Sequence, residues 1–169
     1  MMSNGAMIWQ EGDRWYGAIA SDAGVLLLIW SIDRNEVVRD LPDIVDIHVG
    51  AAARRNLERL RRELHEYHQG TRKKFSIPVA PDGTAFQKKV WEKLCGIPYG
   101  KSMTYGDLAD QIGKPNAARA VGQAAGKNPV PILIPCHRLL ASDGKIGGFA
   151  YGLDEKRKLL KHEGIEYED

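Results

Sequence analysis

Cysteine is scarce in this chain: of 169 residues, only Cys95 and Cys136 carry a thiol. Two are too few for a disulfide scaffold, and no paired-cysteine spacing of the zinc-ribbon or thioredoxin kind occurs. A reducing, cytoplasmic setting is the expectation. Long apolar runs are also lacking. The longest, residues 25–30, is far short of a membrane span, and residues 1–7 lack the basic and apolar regions of a signal peptide, which argues against export and against a membrane anchor. Neither sign of charge dominates. The net charge of +2 permits contact with a polyanion, yet it is not the dense basic field of a dedicated non-specific nucleic-acid binder. Repeats and low-complexity tracts are absent. What is present is the mixed composition of an ordinary globular protein, long enough for one good core or two small ones.

The periodicity changes along the chain. Residues 15–20 and the aliphatic run 25–30, joined by Ser21-Asp22-Ala23-Gly24, read as a hairpin in a small antiparallel sheet. Over residues 51–69, Leu57, Leu60, Leu64 and Tyr67 recur at steps of three and four with Gly70 just beyond, which predicts one amphipathic helix able to cover that sheet. Two prolines and a glycine within residues 77–83 break all periodicity, and a boundary there divides an α/β N-terminal domain, 1–80, from a mostly α domain, 81–169. Thr84 with Gln87 reads as a capping box opening a helix with Phe86, Val90 and Leu94 on one face. Thr104 with Asp107 repeats the signal for a short helix carrying Leu108 and Ile112, and Lys114-Pro115-Asn116 is read as the start of another helix running to Gly126. Two short helices about a tight glycine-containing turn fit either an ordinary helical hairpin or a helix-turn-helix that offers Ala117, Ala118 and Arg119 to nucleic acid.

The stretch from Asn128 to Arg138 carries the chemistry. It is apolar, holds prolines at 129, 131 and 135, and delivers Cys136, His137 and Arg138 in succession. Prolines reduce the freedom of the unfolded chain and fix the thiol in place. A neighbouring imidazole or guanidinium would lower the thiol pKa and raise the thiolate fraction, so a reactive Cys136 is one reading and a structural cysteine beside surface charges the other. Cys95, between Leu94 and Gly96, reads as structural.

Ile134-Pro135-Cys136-His137-Arg138 resembles the active-site signature of the O6-alkylguanine-DNA alkyltransferases, the methylated-DNA–protein-cysteine methyltransferases. Tyr105-Gly106-Asp107-Leu108-Ala109 and Ala118-Arg119-Ala120-Val121-Gly122 resemble that family's helix-turn-helix, and Gly147-Gly148-Phe149 and His162-Glu163-Gly164 its binding loop and last helix. Order and spacing agree over residues 84–164, whereas residues 1–80 are similar only in architecture. The resemblance implies transfer of an alkyl group from O6-alkylguanine, and O4-alkylthymine, in double-stranded DNA to Cys136. The reaction would be stoichiometric and irreversible, the target nucleotide being rotated out of the stack. By position it makes His137 a base acting through a water, Glu163 the carboxylate that orients it, and Asn128 a support of the active-site turn. Arg119 would fill the vacated stack and Tyr105 would assist the leaving guanine. Leu139, Phe149 and Ala150 would line the pocket, with Lys114 and Ser142 as further contacts to DNA. No cofactor, metal or obligate protein partner is implied, and a monomer acting on chromosomal DNA from the cytoplasm is expected.

The loop departs from the family's usual pattern, which has serine at the place of Ala150 and often a small residue at that of Tyr151, whose bulk is expected to narrow the pocket. His65 and His68, three apart on the predicted helix, and His48 are the nearest approach to a metal site and read as surface histidines. The arginine and lysine clusters at 54–55, 61–62 and 72–74 read as an exposed helix face. Two other functions fit the scaffold. A non-catalytic lesion binder of the same family would have lost the acceptor cysteine, which this chain keeps, and a helix-turn-helix regulator would need an effector module that nothing in residues 1–80 suggests. A papain-like thiol hydrolase lacks its local signature.

Overall fold

The computed structural model describes residues 4–42 and 49–169, which form two compact units, Met1–Asp82 and Gly83–Asp169. In the first unit, β1 (Gly5–Glu11), β2 (Arg14–Ser21) and β3 (Gly24–Ser31) make an antiparallel sheet in the order β1-β2-β3. The expected hairpin is β2 and β3, and β1 is an unanticipated third strand. Its mixed sequence GAMIWQE gives no clean alternation, and pairing with β2 from Gly5↔Ala20 to Glu11↔Arg14 decides its conformation. Two helices follow. Helix α1 (Arg34–Asp40) starts at Asp33, whose side chain accepts from the Asn35 N–H, while α2 (Ala51–His68) is the predicted amphipathic helix.

Both faces of β2 are covered, which is why its last six residues are all buried. Tyr16, Ala18 and Ala20 face α2, with the Tyr16 hydroxyl 2.8 Å from His68 Nε2. On the opposite face a Cβ at Gly17 would lie 2.6 Å from Val37 Cγ1, so only glycine lets α1 approach so closely. Glu63, fully buried on α2, accepts from the N–H groups of Ser76 and Ile77 and from the Ser76 hydroxyl, clasping the return strand of chain to the helix. Burial alone would raise its carboxyl pKa, but those hydrogen bonds and Arg59 hold it below the usual range.

The second unit is mostly helical. Thr84 and Gln87 form the predicted capping box of α3 (Ala85–Cys95), and Thr104 and Asp107 that of α4 (Tyr105–Gln111). Helix α5 (Ala118–Gly126) starts three residues later than the Pro115 cue suggested. The Ala117 N–H bonds the Lys114 carbonyl, so Pro115 occupies a turn whose geometry it fits as well as it fits a first helical turn. Packing of α5 on α3 and α4 buries Val90, Leu94, Leu108 and Val121, and the Trp91 indole N–H donates to the Ala124 carbonyl at 2.9 Å. A 3-10 turn (Cys136–Arg138) leads into β5 (Leu139–Leu140), which pairs in parallel with β4 (Met103–Thr104), and α6 (Leu153–Glu163) ends at Gly164 in the left-handed conformation. Among the described residues no helix is long and apolar enough to cross a membrane.

Candidate active site

The proline-rich segment folds back on itself. Asn128, just after α5, donates from Nδ2 to the Ile134 carbonyl at 2.7 Å and to Cys136 Sγ at 3.2 Å, while its Oδ1 accepts from the Val130 N–H at 2.9 Å. One amide thus ties together three points of a loop whose apex holds Ile132 at φ 74°, the sole non-glycine residue among those described with positive φ. A buried β-branched residue in that region is strained and persists only because its surroundings leave it no alternative. The loop delivers Cys136 to the first position of the 3-10 turn, buried but lining a cavity of about 730 Å³.

Behind the cysteine lies a buried charge network. His137 is wholly buried and its Nε2 lies 2.7 Å from Glu163 Oε1. Arg138 turns away from the sulfur: Nε donates to Glu163 Oε2 at 2.8 Å, Nη2 to Oε1 at 3.0 Å, and Nη1 to the Ile97 carbonyl. The Gly100 N–H adds a bond to Oε2 at 3.3 Å. Burial pushes the Glu163 pKa up, but bonds from His137 and Arg138 and their charges outweigh it and bring it down to about 2. An ionised carboxylate facing Nε2 keeps the proton on that nitrogen, so Nδ1 carries the free lone pair. Nδ1 is buried and has no hydrogen-bond partner among the described residues. Burial, with Arg138 and Lys156 assisting, lowers the imidazole pKa against the pull of Glu163, so His137 is neutral and basic at Nδ1 near neutrality.

The thiol differs from the reading in which a neighbouring imidazole or guanidinium side chain lowers its pKa. Burial pushes the Cys136 pKa up, against Asn128, Lys156 and the backbone N–H groups of Cys136 and His137. The Arg138 guanidinium is committed to Glu163 and lends the sulfur nothing comparable. Cys136 is a thiol at rest that needs a base.

The other expected residues fall into three sets. Tyr105, Arg119, Ser142, Phe149 and Ala150 line the cavity together with Cys136, Gly106 and Gly122. Tyr105 opens α4, and its pKa is raised by burial and by Cys136, against a hydrogen bond with the Gly148 backbone. Its ring fits because Gly147, at φ 69°, has no Cβ: one would stand 3.0 Å from the hydroxyl. Leu139 does not line the cavity. It is fully buried in β5, paired with Met103, and presents its carbonyl to Lys156. Lys114 stands exposed in the turn before α5, its ammonium 5.3 Å from the Phe86 ring centroid. Tyr151 is not among the lining residues. Its ring centroid lies 6.0 Å from that of Phe149.

Two residues of the site were not foreseen. Arg138 was read only as a neighbour of the thiol, although a buried arginine demands a carboxylate. Lys156 was not singled out, yet it lies three, four and seven residues before Leu159, Leu160 and Glu163, on the face of α6 that is buried. That periodicity was the signal for it. In the first unit the two histidines are not simply solvated: His65 pairs with Glu11 and His68 with Tyr16, while His48 lies outside the described residues. Among the described residues no group of three or more histidine, cysteine or carboxylate side chains could hold a metal ion.

The chain is similar to known proteins in both sequence and fold. The family described as "6-O-methylguanine DNA methyltransferase, DNA binding domain" matches residues 85–165. The methylated-DNA–protein-cysteine methyltransferase of Methanosarcina barkeri is 54% identical over 102 residues, 60% of this chain and 65% of that protein. Its Methanosarcina acetivorans counterpart is 42% identical over 153 residues, covering 89% of this chain and 98% of that protein. Among solved structures, Mycobacterium tuberculosis OGT in complex with DNA superposes with a TM-score of 0.77 at 31% identity, covering 94% of this chain and 91% of that one. Sequence, fold and site together show that the chain belongs to the family of methylated-DNA–protein-cysteine methyltransferases.

Proposed function

We propose that this chain repairs double-stranded DNA by moving the alkyl group of O6-alkylguanine, and of O4-alkylthymine, onto Cys136, once per molecule. The observation that carries this reading is a cavity-lining thiol followed in the chain by a buried imidazole whose Nδ1 has no hydrogen-bond partner among the described residues and whose Nε2 faces Glu163, itself held by Arg138.

The Cys136 proton passes to His137 Nδ1 through a water, and the imidazolium is stabilised by the carboxylate at Nε2. The sulfur lone pair forms the S–C bond as the C–O6 bond breaks, its electrons going to the guanine. The base then takes up a proton, so thiol and O6-alkylguanine become thioether and guanine. Tyr105 at the cavity wall donates to the departing base and stabilises the charge developing there. Reaching the alkyl carbon requires the nucleotide to leave the stack, at a cost of roughly a few kcal/mol, and Arg119 at the cavity mouth fills the gap. A thioether has no good leaving group, and no residue of the site can regenerate the thiol. The chain works as a monomer on chromosomal DNA in the cytoplasm.

The test is intact mass after incubation with a duplex bearing one O6-methylguanine, for the parent and for Cys136→Ala. One methyl per chain, absent from the variant, is the expected result. Tight lesion binding with no mass gain would make the chain a non-catalytic recognition protein and remove the roles given to His137 and Glu163.

A further inference from the structure

The transfer just described uses no residue of the first unit, yet that unit carries a strongly charged face. Helix α2 buries Leu57, Leu60, Leu64 and Tyr67, while its other side exposes Arg54, Arg55, Arg61 and Arg62. Residues seven apart on a helix lie nearly in line, about 10 Å along the axis, so Arg54 stands behind Arg61 and Arg55 behind Arg62. The acidic residues of α2 do little to balance these two rows. Glu63 is buried against Arg59 and Ser76, and Glu66 is held by Arg72 at 2.6 Å and lies 3.9 Å from Arg62, which leaves Glu58 exposed between the rows. His65, also between them, pairs with Glu11 of β1. Among the described residues Arg54, Arg55 and Arg61 have no ion pair. Without the four arginines the net charge of +2 would be −2, so this one face carries the positive balance of the chain.

The arrangement works against the helix that bears it. Helix α2 starts at Gly50 with no side-chain cap and no acidic residue in its first turn, so the positive end of its dipole meets Arg54 at the end of that turn and Arg55 just beyond. Arg55 and Arg59, four apart, repel each other, and in the Arg62–Glu66 pair the arginine precedes the carboxylate, the weaker order on a helix. Glutamine at the four exposed positions would propagate the helix about as well and would relieve the repulsion. Local stability therefore does not account for the arginines, and an anion outside the chain does.

We propose that the arginine face of α2 binds the phosphate backbone of duplex DNA, without regard to sequence or lesion, as a second grip distinct from the helix-turn-helix. A guanidinium presents a planar fork of donors that fits two phosphate oxygens at once, and phosphate contacts hold a duplex without reading its bases. DNA is the polyanion on which the methylated-DNA–protein-cysteine methyltransferases act, so the charge of this face and the working partner of the family are complementary. Such a grip is sensitive to salt and blind to damage. It holds the chain on undamaged duplex and leaves the transfer step as it is.

The experiment compares three full-length proteins: the parent, a face variant with Arg54→Gln, Arg55→Gln, Arg61→Gln and Arg62→Gln together, and a control of equal net charge with Arg34→Gln, Arg39→Gln, Lys158→Gln and Lys161→Gln. Affinity for a lesion-free duplex is measured against salt concentration. The face variant should bind at least about tenfold more weakly at about 0.1 M salt, with a salt slope smaller by about 2–3, the loss of about three phosphate contacts. The control should stay within about threefold of the parent and keep its slope. At saturating DNA the face variant should transfer methyl from O6-methylguanine within about twofold of the parent rate, because only binding common to ground and transition states has been removed. Its urea midpoint should equal or exceed the parent's. An unchanged salt slope, an equal loss in the control, or a midpoint clearly below the parent's overturns the proposal. So does binding of the parent, but not the face variant, to phosphatidylserine vesicles while both hold duplex alike, which would make the partner a lipid surface. A parent that grips undamaged duplex through this face yet transfers no methyl would instead overturn the proposed function, so the two failures are distinct.

Discussion

At Asn128 a single side chain makes three hydrogen bonds, and each meets a different need. The bond to Val130 N–H and the bond to the Ile134 carbonyl close the strained turn around Ile132, and the bond to Sγ favours the thiolate over the thiol. Asn128→Ala leaves the Val130 N–H without its partner, at about 1–3 kcal/mol where it stays buried, while the Ile134 carbonyl keeps the Cys136 N–H. The variant should unfold at correspondingly lower urea, and Cys136 should react with iodoacetamide more slowly at pH 8 than in the parent. Asn128→Asp separates the two effects: its carboxylate can still accept from Val130 N–H, but it cannot donate to sulfur and opposes the thiolate by charge. It should therefore recover part of the stability while slowing the thiol further. Equal thiol reactivity in the parent and both variants would remove Asn128 from the chemistry and leave it a structural role.

At the level of elements, the helix-turn-helix reading places Arg119 at the second position of α5, exposed and at the mouth of the cavity that Cys136 lines. Under the proposed function its contribution belongs to the extrahelical state, in which it would replace the departed base, more than to the encounter with intact duplex. Arg119→Ala should slow single-turnover repair about tenfold or more, the scale of an unstacking cost of a few kcal/mol, yet weaken binding to undamaged duplex only as far as one lost phosphate contact does. Parallel losses in both assays would mean that Arg119 only grips the backbone. The elements differ in how much of them the sequence reveals. The capping boxes at Thr84 and Thr104, the aliphatic run of β3 and the periodicity of α2 are local signals, and the structure has those elements where they point. Strand β1, the late start of α5 and the two-residue strands β4 and β5 depend on what each segment meets in space. The site divides the same way. Cys136 and His137 are adjacent in the chain and legible, whereas Arg138–Glu163 and Lys156–Leu139 join residues 25 and 17 apart, and no local spacing specifies them.

For the molecule as a whole, stability and chemistry meet in the Glu163 cluster. That carboxylate joins the end of α6 to the 3-10 turn and, through Gly100 and through Arg138 to Ile97, to the segment before β4. Its pKa falls from an ordinary 4.5 to about 2 on folding, so the unfolded chain takes up a proton that the folded one refuses. A depressed carboxyl pKa contributes stability that is fully present above about pH 5 and disappears as the pH falls toward 2, here on the order of 3 kcal/mol. His137 is also depressed, so its contribution is present above its ordinary 6.5 and is lost as the pH falls below that value. The sign is the same, but the loss begins at higher pH. Glu163→Gln should lower stability at pH 7 by about 3–5 kcal/mol, because Arg138 is left buried without its carboxylate. It should also flatten the curve between pH 5 and 2 while preserving the fall that starts near 6.5. Amide exchange at residues 136–140 and 160–165, followed against pH in parent and variant, reads the second unit directly. If the variant kept the parent's full loss between pH 5 and 2, Glu163 would not be the group that titrates there, and the acid sensitivity would have to come from carboxylates outside the active site.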